Sequence, residues 1–182
     1  MTEFPDRSTL RNVGVVHDDI EAIRQLKARY FRLMDTKQWD DLEAVFVPDV
    51  VIDSSGEGGP VTHGAAAFVA MLRDQIGDAV TVHHGHMPEI TLTSTTMAEG
   101  VWAMEDHIWW PDGAPLRHLH GYGHYHETYV KVLDDLPAGV DASTLRPRAS
   151  AAAHPGPWRI ASMRLTRLRR DLTLADGNVV SL

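Results

Sequence analysis

His118, His120, Tyr122, His124 and His126 alternate through RHLHGYGHYHETY, so an unbroken strand would project all five side chains to one face. An H-x-H pair on a strand is a recurrent way to offer two imidazoles to a zinc or iron ion. Gly121 and Gly123 fall on the other face, where they permit a bend or a close backbone approach. Glu127 also belongs to that other face unless a bulge intervenes. A second histidine group, His83, His84 and His86, sits in VHHGHMPEI. Neighbouring strand residues point to opposite faces, so one of His83 and His84 faces inward and the other outward. The spacing does not choose between them. A histidine that faces a carboxylate gains a fixed tautomer and support for the imidazolium formed on taking a proton.

Carboxylates and a phenol complete the inventory. YFRLMD carries Tyr30 and Asp35, which lie about 140° apart on an ideal helix. Tyr30 reads as a core aromatic whose hydroxyl reaches the rim. Asp35 with Gln38 has the D-x-x-Q spacing of a capping box for a following helix. Asp106, in WAMEDHIWW, alternates onto the side of Trp102, Met104 and Ile108, where a carboxylate must be paired or perturbed. Arg167 stands in LTRLRRD beside Arg164, Arg169 and Arg170. That cluster suits a solvated edge, an anionic substrate tail or paired acids. There is no glycine-rich phosphate loop, no G-x-S-x-G and no H-E-x-x-H. What remains is acid–base chemistry on a small organic molecule.

These residues need elements to hold them. Ile20, Ile23, Leu26, Tyr30 and Leu33 recur at helical spacing and predict a helix over 18–34, started by Asp18 or Asp19 as cap. A short helix over WDDLEAVF, a strand over 49–53, a loop over 54–60 and a third helix over 64–74 follow. Four long strands are expected over 80–93, 97–110, 116–133 and 158–171. Residues 134–157, rich in Ala, Pro, Asp and Ser, read as a long exposed loop. The domain layout is a leader at 1–17, one domain at 18–172 and a tail at 173–182. A run of helices before a run of strands argues α+β, with three helices closing over a strongly curved, mostly antiparallel sheet that encloses a pocket.

Composition narrows the partners. The 182 residues carry a net charge of −8, which offers no basic field for a nucleic acid. No cysteine is present, which removes disulfides, thiolate ligands and thiol nucleophiles. No apolar run reaches the length of a signal peptide or membrane span, so a soluble, cytoplasmic protein is expected.

The blocks DIEAIRQLKARYFRLMDTKQWDDLEAVF, HHGHMPEITL, AEGVWAMEDHIWW and GPWRIASMRLTRLR resemble the SnoaL-like branch of the NTF2-like superfamily. Within it the chain looks most like the bile acid 7α-dehydratases, with scytalone dehydratase and hexachlorocyclohexane dehydrochlorinase more distant. The resemblance implies a cone-shaped α+β fold, a homo-oligomer (trimer or dimer) and catalysis without cofactor or metal. Its catalytic Tyr, Asp and His fall on Tyr30, Asp35 and His83, and its strand carboxylate falls on Asp106. Arg167 corresponds to an arginine associated with a CoA-thioester substrate. Trp102, Met104 and His124 join Arg167 as expected substrate-binding residues. The implied reaction is loss of water from a steroid- or polyketide-like enone, a lyase reaction with His83 as base, Asp35 as its orienter, Tyr30 as donor to the oxyanion and Asp106 as proton source. Two other readings stand beside it: a non-catalytic binding or assembly module, and a metal-dependent enzyme using the 118–126 histidines. Isomerases and dehydrohalogenases would use the same dyad.

Overall fold

The computed structural model describes residues 7–132 and 157–182, with side chains described from residue 16 onward. The expected loop at 134–157 lies almost wholly outside the described residues. No helix among the described residues is long and apolar enough to cross a membrane.

Three helices carry the N-terminal part: α1 (Arg7–Asp35), α2 (Trp39–Glu43) and α3 (Ala65–Ile76). Helix α1 starts at Arg7, well before the expected Asp18, because helical spacing continues upstream through Leu10, Val13 and Val16. Asp19 is therefore no cap. It is buried and accepts hydrogen bonds from Trp158 Nε1 (2.9 Å) and Lys131 Nζ (2.7 Å), tying the helix to two strands. Ile23, Leu26, Tyr30, Leu33 and Met34 form the buried stripe of α1.

The strands are β1 (Phe46–Asp53), β2 (Val61–His63), β3 (Val80–Leu92), β4 (Met97–Trp109), β5 (Leu116–Lys131), β6 (Trp158–Leu174) and β7 (Val179–Ser181). The four long strands stand where their β-branched and aromatic content placed them; the short β2 and β7 carry too few residues for a pattern. They build one sheet in the order β2-β1-β6-β5-β4-β3, with β7 paired to β6. Every pairing is antiparallel except β1 with β6, which is parallel. Register shifts at His86/Glu89, Tyr122/Gly123 and Thr128/Tyr129 bend the long strands, and α1 packs across the sheet against β3 and β6.

Strand parity then sorts the side chains. On the covered, inner face lie Trp102, Met104, Asp106 and Ile108 of β4 and Tyr125, Glu127 and Tyr129 of β5, all buried. Glu105, His107, His118, His120, His124 and His126 occupy the outer face and are partly exposed.

Candidate active site

The end of α1 decides how Asp35 is used. Lys37 takes a left-handed backbone (φ 59°), its N–H bonds to Met34 O at 3.2 Å, and Gln38 N–H bonds to Leu33 O at 2.9 Å. That is a Schellman ending with lysine in the place glycine usually holds. Gln38 makes no side-chain cap to α2, and the capping-box reading of Asp35 falls with it. The carboxylate turns instead to β3. Asp35 Oδ2 accepts the backbone N–H of His83 at 2.9 Å, while Oδ1 takes the Thr81 hydroxyl at 2.9 Å and His83 Nδ1 at 2.6 Å. Lys37 Nζ donates to Thr81 Oγ1 at 2.8 Å, bracing the group from outside.

Parity also answers which histidine faces inward. His83 is 8% exposed, whereas His84 and His86 are on the exposed side. A carboxylate can only accept, so Nδ1 carries the proton in the neutral His83 ring, which leaves the lone pair of that form on Nε2. Among the described residues Nε2 has no hydrogen-bond partner. The ring of Phe31 lies parallel to His83 at 6.4 Å. It packs over Gly85, where a Cβ would stand 2.7 Å from Phe31 Cε2.

His83 pairs directly with Asp106 across β3 and β4. Asp106 is not free. Its two oxygens accept Arg167 Nη1 and Nη2, each at 2.8 Å, and Arg167 Nε donates to Glu57 Oε2 at 2.7 Å. Burial alone would lower the Arg167 pKa, but the two carboxylates outweigh it and raise it. The pairing bears on two expected roles. The bidentate ion pair favours the ionised form of Asp106 over the carboxylic acid that a proton donor must be, and Arg167 is turned inward to two acids rather than outward to an anionic tail. Of the three readings of the arginine cluster, paired acids is the one realised at Arg167. A further correction concerns His124: it stands on the outer face opposite Tyr125, beside His126, and does not join the inner group. Trp102 and Met104 are on the inner face, with Trp102 Nε1 donating to Tyr129 Oη at 2.8 Å and Met104 Sδ 3.5 Å from Arg167 Nη1.

Tyr30 is buried, its ring edge-on to Tyr125 at 6.2 Å and its hydroxyl 3.9 Å from Met163 Sδ. Burial, helped by the charge of Glu127, raises its pKa and keeps the phenol protonated. Next to it is a pair that sequence reading missed. Lys27 is fully buried and donates to Glu127 Oε1 at 2.5 Å, with Nζ 3.6 Å from the centre of the Tyr125 ring. Tyr129 Oη donates to the other Glu127 oxygen at 2.5 Å. Burial lowers the Lys27 pKa to about 8, with Glu127 opposing the shift. Thr81, Lys37, Phe31 and Glu57 were missed as well. Thr81 could have been found, since it shares strand parity with His83; Glu57 arrives from the 3₁₀ turn Ser55–Glu57, which no spacing announces.

Two open depressions, of about 470 and 570 Å³, lie around Asp40 and Arg73 at α2 and α3; His83, Asp106 and Arg167 line neither.

The family model of the SnoaL-like domain matches residues 16–164. The chain belongs to the SnoaL-like domain family. The probable cyclase FGR4 of Gibberella zeae is 27% identical over 122 residues, covering 62% of this chain and 81% of that protein. A scytalone dehydratase-like structure from Novosphingobium aromaticivorans superposes with a TM-score of 0.67 at 20% identity, covering 87% of this chain and 89% of that one. The type 2 hexachlorocyclohexane dehydrochlorinase gives 0.63 at 13% identity, covering 92% and 91%. These structural likenesses show the NTF2-like cone fold. They do not establish the narrower likeness to bile acid 7α-dehydratases.

Proposed function

We propose that this SnoaL-like protein is an enzyme that converts a small organic molecule by abstracting a proton from carbon activated by a conjugated carbonyl. The observation that carries the reading is the Asp35–His83 dyad: Nδ1 is bound to the carboxylate at 2.6 Å, and Nε2 has no hydrogen-bond partner among the described residues. The likeness to a probable cyclase and to dehydratase-like and dehydrochlorinase structures supports the same class of chemistry.

The finer proposal is a lyase of the dehydratase type. His83 Nε2 takes the proton, and the C–H electron pair moves into the conjugated carbonyl to give a dienolate. Tyr30, a neutral donor, hydrogen-bonds the oxygen where charge develops. The pair then returns, the C–O bond of the hydroxyl breaks, and the imidazolium gives its proton to the departing oxygen, releasing water. Because Asp106 is committed to Arg167, one histidine serves as base and then as acid. The conjugated ketone delocalises the carbanion itself, so the step asks for no cofactor. A small hydrophobic enone, free or as a CoA thioester, is the substrate class.

The test is a spectrophotometric assay on a 7α-hydroxy-3-oxo-4-ene steroid and its CoA thioester, with wild type and His83→Ala. A dienone band that grows with wild type and vanishes with His83→Ala is the expected result. Proton NMR in D₂O on the same compounds registers exchange at the acidic carbon even where no group leaves. Neither band nor exchange would turn the assignment to a binding or assembly module.

A further inference from the structure

The outer face of the sheet holds a second constellation, remote in orientation from His83. Glu105 and His107 on β4 and His120 on β5 are the one group among the described residues in which three metal-ligating atoms converge, all within 4.8 Å of one another. His107 and His120 are direct cross-strand partners, which sets their rings 3.8 Å apart. Glu105, two residues before His107, reaches across both. Its Oε1 is 2.7 Å from His120 Nε2 and 3.4 Å from His107 Nε2. The three side chains are between 23% and 30% exposed, so an ion can reach them from solvent.

The surrounding groups supply the outer partners that metal-bound histidines use. A histidine can ligate through Nε2 only if Nδ1 carries the ring proton, and that proton is usually given to an outer partner. His107 Nδ1 has such a partner in His118 Nε2, at 3.0 Å. His120 Nδ1 has one in the Tyr122 hydroxyl, at 3.5 Å. Without an ion the His120 Nε2–H donates to Glu105 Oε1; an ion taking the place of that proton would leave the ring proton on Nδ1, where these partners stand. The Trp109 indole stacks on His107 at 5.1 Å and on His118 at 4.9 Å, which limits ring rotation on one side.

We propose that Glu105, His107 and His120 form a binding site for a divalent transition-metal ion, zinc foremost, on the outer face of the sheet. Two imidazole nitrogens and one carboxylate oxygen are a recurrent three-ligand zinc set, and a fourth, tetrahedral position remains for water. Oxygen-only ions such as Mg²⁺ are disfavoured by the two imidazoles. The site is built across two strands, not from the alternating histidines of β5 alone. His124 is excluded, and His126 is bound to Thr166 Oγ1 at 3.1 Å. The proposal is independent of the proton-abstraction reading, since it concerns the opposite face.

The test uses the full chain without a polyhistidine tag, stripped with chelator, and titrated with Zn²⁺ alone by calorimetry. One ion per chain is expected. Co²⁺ in its place should give the visible absorption of a four-coordinate centre. His107→Ala, His120→Ala and Glu105→Gln should each weaken Zn²⁺ binding by more than about 10-fold, and His118→Ala by about 10-fold through the lost outer hydrogen bond. His124→Ala should leave the titration unchanged. Circular dichroism of each variant separates ligand loss from misfolding. Absence of Zn²⁺ uptake by wild type at millimolar concentration would overturn the proposal. So would uptake that survives both His107→Ala and Glu105→Gln, or that is lost in His124→Ala.

Discussion

Gly121 faces Asp106 directly across β5 and β4, and a Cβ on that glycine would overlap both Asp106 Oδ1 and Arg167 Nη1. The bidentate pair is thus seated in the space that the missing side chain leaves. Gly121→Ala should push the pair apart and destabilise the fold by about 1–3 kcal/mol, the usual cost of overpacking a close interior. Urea unfolding of the variant measures it. An unchanged midpoint would mean that the pair relaxes freely and the glycine is incidental.

The dyad predicts a tautomer. In wild type, ¹⁵N NMR of the His83 ring should find the neutral form protonated at Nδ1, because Asp35 Oδ1 accepts there. Asp35→Asn should release that preference and cut turnover of any accepted substrate by about 10²–10⁴-fold, the range a general base supplies. A ring protonated at Nε2 in wild type would remove His83 as the base.

Lys27 and Glu127 share a buried site, so removing one charge strands the other. Lys27→Met should cost about 3–5 kcal/mol. Adding Glu127→Gln should recover much of the loss, since an amide can still accept from Tyr129 without carrying charge. A double variant as unstable as the single one would show that the pair matters for shape and not for charge balance.

Acid should loosen the outer face. Burial lowers the His118 pKa, with the nearby His107 and His120 adding to the shift; burial also lowers that of His126, with Arg164 and His124 adding. A histidine whose folded pKa lies below its unfolded value binds fewer protons when folded. Stability therefore falls as pH drops below the ordinary histidine value of about 6.5 and on through the lowered one. His118→Asn with His126→Asn should flatten that limb of a melting-temperature profile between pH 7 and pH 5. A limb of undiminished slope would assign the loss to other groups.

Much of the architecture was legible because the long elements declare themselves by period. The α1 stripe and the four long strands follow from apolar spacing and β-branched content. Parity also anticipated that His83 or His84 faces inward and that the β5 glycines permit a close approach. It does not say which face is covered; the structure puts His124 on the outer one. The role of Asp35 rests on Lys37 adopting a left-handed turn, a position where glycine would have been the signal. The fate of Arg167 required knowing that a 3₁₀ turn more than a hundred positions upstream delivers Glu57. Long-range partners of this kind leave no mark in local spacing.

The parallel seam between β1 and β6 sets an order of events. Phe46 pairs with Ile160 and Asp53 with Arg164, and β1 otherwise has only the three-residue β2 beside it. The unit of β1, β2 and α3 therefore has no strand of the main sheet to join until β6 exists. On the ribosome, that unit must wait through the making of three long strands before it can dock. Protease protection of stalled nascent chains should reach β1 only once residues 158–174 have cleared the exit tunnel. All of β3 to β6 has to be translated before the first strand is held in place.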